Sequence, residues 1–117
     1  EIQNYIKDFD ISIFFIKKCF SKIASCPTKF AESLALGVPV ITGTQIGDVD
    51  EIFLSTNNNI GYLIDDFSES EIKKSIKHVL NLKTNIKTSQ NCYDTAKKYF
   101  DLNYALSIYN SLYNFKK

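Results

Sequence analysis

An α/β fold with about three parallel strands flanked by helices is what this sequence predicts, on two observations. Short β-branched and aromatic runs alternate with helical periodicity in the order strand, helix, strand, short helix, strand, helix. That alternation is the signature of a parallel sheet with crossover helices. The composition is 44% hydrophobic and 23% charged over 117 residues, ordinary for one modest globular domain. The longest apolar run, Ile13–Ile16, is only four residues, far below the roughly 20 a membrane-spanning helix needs.

The elements follow in order. Ile2, Tyr5, Ile6 and Phe9 lie at helical spacing and predict a helix over 2–9. "ISIFFI" after Asp10 predicts a strand buried on both faces. A polar loop leads to Pro27, which favours the first turn of a helix because its missing N–H costs nothing there. Phe30, Ala31, Leu34 and Ala35 form the core-facing stripe of that helix, and Gly37 supplies a left-handed C-terminal cap. "VPVIT" is the second strand and "TQIG" a turn. Asp48 and Glu51 then match a capping box, with Asp48 accepting from the backbone of a short helix that ends near Leu54. "IGYLI" is the third strand. Ser68 and Glu71 form a second capping box, with Phe67 and Ile72 as its hydrophobic staple. Ile72, Ile76, Val79 and Leu80 make the inner face of the helix it opens, and helices over 86–99 and 102–114 close the chain. Three strands are fewer than the five or six of a full doubly wound sheet. With a start at Glu1 rather than methionine, this predicts the second half of a Rossmann-like domain, a fragment of a longer protein.

Bulk properties narrow the function. Net charge is +1, so no basic footprint points to nucleic acid. All fourteen cationic residues are lysine, so a phosphate would be held by lysines, hydroxyls or backbone amides, without guanidinium forks. Cys19, Cys26 and Cys92 form neither an even disulfide set nor a metal-ligand spacing. They predict free thiols in a reducing, cytoplasmic setting.

In open α/β sheets, ligands bind outside the carboxyl ends of the strands. The first two strands deliver those ends into loops 17–26 and 43–48, and each loop leads into a helix N-terminus. Such termini offer unpaired N–H groups and partial positive charge to an anion such as a diphosphate. Ser25, Thr28 and Lys29 surround the first of them, and Thr28 and Glu32, one turn apart, are expected on one side of the helix.

Ser25, Pro27, Thr28, Lys29, Glu32, Ala35, Gly37, Pro39, Val40 and Ile41, followed by Gly47 and by Gly61 and Leu63, resemble a known pattern. It is that of the C-terminal, nucleotide-sugar-binding domain of GT-B fold glycosyltransferases, the family 4-type or group 1 enzymes. The likeness covers about residues 5 to 82. It implies the C-terminal half of a GT-B domain that binds a nucleotide-diphosphate sugar as substrate and passes the sugar to an acceptor hydroxyl with retention. No metal or other cofactor is expected. The donor-binding residues it implies are Ser25, Thr28, Lys29, Glu32, Gly47 and Asp48, with Glu32 on the ribose hydroxyls. The family's other glutamate, which approaches the sugar, falls at Ala24, so no catalytic residue carries over. An acceptor-binding N-terminal domain and the basic pair that binds phosphate are expected upstream. Polysaccharide synthesis, and peripheral association of the full-length protein with the cytoplasmic face of a membrane, are further family-level expectations. Two rivals stand beside this: a nucleotide-sugar epimerase-like protein of the same architecture, and a non-catalytic α/β binding module whose site has decayed.

Simpler roles compete at each position. Glu32 and Lys29 could pair on the helix surface, Ser25 and Thr28 could cap it, and Gly47 with Asp48 could be a turn and an N-cap. Asp65 and Asp66 read as a turn before a cap, His78 as a dipole partner late in a helix. Tyr99, Phe100, Tyr104, Tyr109 and Tyr113 are expected to pack on the sheet or on another domain.

Overall fold

The computed structural model describes residues 1–114, and it is an α/β fold built on a three-stranded parallel sheet. The elements run α1 (Ile2–Ile6), β1 (Ser12–Phe14), a 3₁₀ segment (Phe20–Ala24), α2 (Thr28–Ala35), β2 (Val40–Gly43), α3 (Val49–Ser55), β3 (Gly61–Ile64), α4 (Glu69–Lys83), α5 (Lys87–Phe100) and α6 (Leu102–Asn114). Strand order is β1-β2-β3, with Ser12 opposite Val40 and Val40 opposite Gly61. All four residues of the central β2 are buried.

Alternation along β2 divides the core between the two faces of the sheet. Val40 joins Phe30, Leu34, Ile46, Val49, Ile52, Phe53, Ile60, Cys92 and Ala96 under α2, α3 and α5. Ile41 points the other way, to a smaller cluster with Ile64 and Val79 under α4. α2 and α5 pack antiparallel: Phe30 meets Phe100 edge-on at 5.9 Å, while Gly37 faces Ser89 at the opposite ends.

Several expectations shift for physical reasons. β1 is not buried on both faces. It is the sheet's edge, Ile13 and Phe15 are exposed, and α1 buries none of its residues. The buried stripe of α2 is Phe30, Ser33 and Leu34 rather than the set with Ala31 and Ala35, because Ser33 finds a polar partner under β1. α4 likewise turns Ser75 and Val79 inward and leaves Ile76 and Leu80 exposed. Asp48 precedes α3 but its side chain caps nothing. The Asp50 carboxylate instead accepts the N–H of Gln45, which has a positive φ of 62°. At α4, Ser68 Oγ accepts the Glu71 N–H as the pattern predicts. The reciprocal half fails, since Glu71 accepts from the Tyr62 hydroxyl and the Ser68 N–H goes to Asp66. Phe67 stands edge-on to Phe15 at 5.2 Å.

The helix ends conform better. α2 closes with the Gly37 N–H on Leu34 and the Val38 N–H on Ser33, the paired bonds of a Schellman motif, with Gly37 at φ 76°. Of the aromatic tail, Phe100 packs on the core and the Tyr99 hydroxyl donates to Ser55. Tyr104, Tyr109 and Tyr113 on α6 are exposed.

Gly61 is the backbone position the sheet tolerates least change at. A Cβ there would sit 1.8 Å from the Val40 carbonyl oxygen, and its φ is 152°. Gly61→Ala is expected to cost about 2 kcal/mol or more, combining strain with a backbone clash. A urea unfolding curve with the wild-type midpoint would refute this.

Candidate functional site

The carboxyl ends of β1, β2 and β3 feed three loops that the structure ties together. Lys18 Nζ donates to the Asp65 carbonyl at 2.9 Å, and Thr44 Oγ1 donates to the Asp65 carboxylate at 3.1 Å. The Gly47 N–H donates to the Lys22 carbonyl at 3.1 Å. Gly47 is also the tightest packing point of this end: with φ at 49°, a Cβ on it would lie 2.0 Å from the Ser25 carbonyl oxygen. Only glycine lets the loop after β2 press so closely on the segment that enters α2.

That contact sets the height of the α2 N-terminus. Pro27 stands at the N-cap position, and no side chain caps the helix. Neither Ser25 nor Thr28 therefore acts as a cap. The first N–H groups of α2 are left to solvent or to a ligand. A cavity of about 540 Å³ opens beside them, lined by Ile13, Phe14, Phe15, Ile16, Pro27, Thr28 and Lys29. Its walls are mainly apolar, with a hydroxyl and an ammonium at the helix end.

Glu32 does not join Thr28 and Lys29 on one wall. It lines a second cavity of about 480 Å³, between α2, the end of α5 and the start of α6, with Ala31, Ala35, Tyr93, Ala96, Lys97, Phe100, Asp101 and Leu102. Rotation of about 100° per residue sets Glu32 about 60° from Lys29 but only about 40° from Thr28, which reaches the first cavity from its place at the helix end. Buried Ser33 faces β1, so Lys29 four residues earlier lies on the β1 side, and Glu32 falls toward α5. Among the described residues Glu32 and Lys29 make no ion pair, with each other or elsewhere. The pairs present are Glu69–Lys73, Glu71–Lys74 and Asp10–Lys83. The simple account of Glu32 as half of a surface pair is not what the structure holds.

Gly47 and Asp48 divide differently. The N–H of Gly47 is spent on Lys22, which makes it a structural glycine at the mouth. Asp48 is exposed and close enough to Cys26 for its charge to act on the thiol. Ala24 ends the 3₁₀ segment and is exposed, with no carboxylate to offer. Lys18, Thr44 and Asp65 are the members sequence reasoning missed: nothing in their spacing foretells a bridge across 47 residues. His78 stands edge-on to Tyr62 at 5.4 Å, away from the mouth beneath α4. No group of three or more metal-ligating side chains occurs among the described residues.

The family model for Glycosyl transferases group 1 matches residues 1–99. No curated protein and no solved structure matches the chain.

The three thiols report on this geometry. Hydrogen bonding to Ser21, then to the Lys22 backbone, lowers the pKa of exposed Cys19. Burial, and then the charge of Asp48, raises that of Cys26. Burial pushes Cys92 up to about 12. Thiolates are the reactive form, so near neutral pH iodoacetamide is expected to label Cys19 first, Cys26 more slowly and Cys92 only after unfolding. Mass mapping that finds Cys26 ahead of Cys19 refutes the order. Cys92 also links stability to alkali. An unfolded chain ionises this thiol near its ordinary value, whereas the folded protein resists until about 12. Its contribution is therefore whole below the ordinary value and lost as pH rises through that window. Cys92→Ala is expected to flatten this alkaline loss in urea titrations.

Proposed function

The chain belongs to the group 1 glycosyl transferases, and on that premise we propose that it forms a single domain, part of the GT-B donor-binding domain of a longer enzyme. The substrate of this domain is a nucleotide-diphosphate sugar. The reaction is transfer of the sugar to an acceptor hydroxyl with retained anomeric configuration. One observation carries the reading: an uncapped helix N-terminus, with Thr28 and Lys29 beside a cavity at the sheet's carboxyl edge and, one turn on, a Glu32 without an ion pair among the described residues.

Each part has a physical task. The free N–H groups of α2 and the Lys29 ammonium meet the diphosphate, whose negative charge grows as the sugar departs. Glu32 accepts from the vicinal hydroxyls of the ribose, which fixes the nucleoside relative to the breaking bond. Ser25 lends a hydroxyl at the entrance to α2, while Gly47 holds that entrance in place and Asp48 lies at its rim. The acceptor is bound by a further domain, and neither a metal nor another cofactor enters the reading. The work is placed in the cytoplasm, with peripheral attachment of the whole protein to a membrane. No described helix is long and apolar enough to cross one.

Ala24 favours a second reading. Where relatives by pattern carry a carboxylate near the sugar, this chain carries a methyl group. A module that binds the donor without turning it over fits that loss.

Titration of the full-length protein with UDP and with GDP tests the donor site. Glu32→Ala is expected to raise the Kd at least about tenfold, the worth of hydrogen bonds to a charged group. Lys29→Gln should weaken binding and flatten its salt dependence, because an exposed ion contact is screened. Wild-type binding of neither nucleotide, or an unchanged Kd in Glu32→Ala, defeats the proposal. Sugar transfer to an acceptor, followed by the anomeric proton couplings of the product, separates an enzyme from a silent module.

A further inference from the structure

Ser33 and Ser12 make the buried side-chain pair of this fold that the proposed chemistry leaves unused. Ser33 Oγ donates to Ser12 Oγ at 2.9 Å, and both residues are buried. Two backbone bonds close a ring around them. The Val38 N–H donates to the Ser33 carbonyl at 2.9 Å, and the Ser12 N–H donates to the Pro39 carbonyl at 3.0 Å. The last turn of α2, the approach to β2 and the start of β1 are thereby locked to one another.

Such a hydroxyl pair is not needed for stability, since replacing both partners with apolar groups is often nearly neutral. Its specific product is direction. A buried hydrogen bond holds only within a narrow range of distance and angle, so it adds a directional constraint to the packing of Phe30 and Leu34. With Ser33 held toward β1, the residue before it is turned about 100° away. That residue is Glu32, which the ring aims at the cavity between α2 and α5. Lys29, on a flexible four-carbon stem, tolerates a small roll of α2; the shorter Glu32 carboxylate does not.

We propose that Ser12 and Ser33 are positioning residues for nucleotide binding, acting through Glu32 by fixing the rotation of α2. This rests on the donor-site reading of Glu32. The test is a cycle in the full-length protein: Ser12→Ala/Ser33→Ala, with and without Glu32→Ala, each measured for UDP and GDP affinity and for thermal midpoint. The double serine variant leaves no orphaned hydroxyl, so it is expected to melt close to wild type. It should nonetheless raise the nucleotide Kd about fivefold, the worth of one hydrogen bond. In the Glu32→Ala background the same pair of changes should leave the Kd unmoved. Ser33→Ala alone, which strands the Ser12 hydroxyl, should lower the midpoint in both backgrounds alike. A wild-type Kd in the double serine variant overturns the proposal, as does an equal loss with and without Glu32. If wild type binds a nucleotide and Glu32→Ala does not weaken it, the donor-site reading fails first and takes this one with it.

Discussion

Phe30 is where the domain's larger core is pinned. Fully buried, it lies against Phe53 of α3 with ring centroids 5.9 Å apart and meets Phe100 of α5 edge-on. Burying such a ring is worth on the order of 2 to 3 kcal/mol in transfer terms alone. The contact has a positional consequence beyond its energy. Phe30 is the third residue of α2, so the anchoring point is one turn from the helix N-terminus. A helix pinned there cannot slide along its axis without breaking aromatic contacts with two other helices. The open N–H groups, Thr28 and Lys29 are therefore held at the edge of the sheet, not left on a frayed end.

Gly47 completes the constraint from above. α2 is held by its core face, and the segment entering it at Ser25 is pressed by the backbone of the loop after β2, at a distance that excludes any side chain. The segment between Cys19 and Pro27 has no regular structure beyond five 3₁₀ residues, none of them buried. Beyond its own turn bonds, it is tied to the rest of the fold by the Gly47 bond to Lys22 and, just ahead of it, by the reach of Lys18 to Asp65. A loop built this way keeps its polar groups exposed and its ends fixed, a combination suited to binding.

The sequence made the fold legible wherever the signal was local. Helix bounds for α5 and α6, the Gly37 cap and the Ser68 cap depend on neighbouring residues, and the structure agrees with them. Misreadings cluster where a partner distant in the chain decides. Ser33 displaces the alanines from the buried stripe of α2 because Ser12, 21 residues away, offers it a hydroxyl. Glu71 leaves its capping box for Tyr62, and Asp48 yields to Asp50 because Gln45 adopts a left-handed backbone. β1 reads as a fully buried strand because its residues are apolar, yet burial depends on what lies beyond the edge of the sheet. The candidate site was legible as a set of residues on one stretch of chain. It was not legible as a geometry, since spacing puts Thr28 and Glu32 on one side of α2, yet Thr28 at the helix end lines one cavity and Glu32 in the second turn lines another.

That separation bears on what Glu32 and Lys29 can do. A carboxylate and an ammonium one turn apart on an exposed helix usually neutralise each other at a gain of a few tenths of a kcal/mol. Lining different cavities, both are unpartnered among the described residues. Each is then free to meet a different part of one ligand. A nucleoside diphosphate has that polarity, with anionic phosphates at one end and neutral, donating ribose hydroxyls next to them. The N-terminus of α2 repels neither demand: its partial positive charge reinforces Lys29, and it has faded by the second turn, where Glu32 sits. On the proposed reading, Ala24 breaks the symmetry of this arrangement on the sugar side alone. On the donor-site proposal, an alanine there offers no acceptor to sugar hydroxyls while the nucleotide contacts stand, which makes affinity for the nucleotide and turnover of the sugar separable properties.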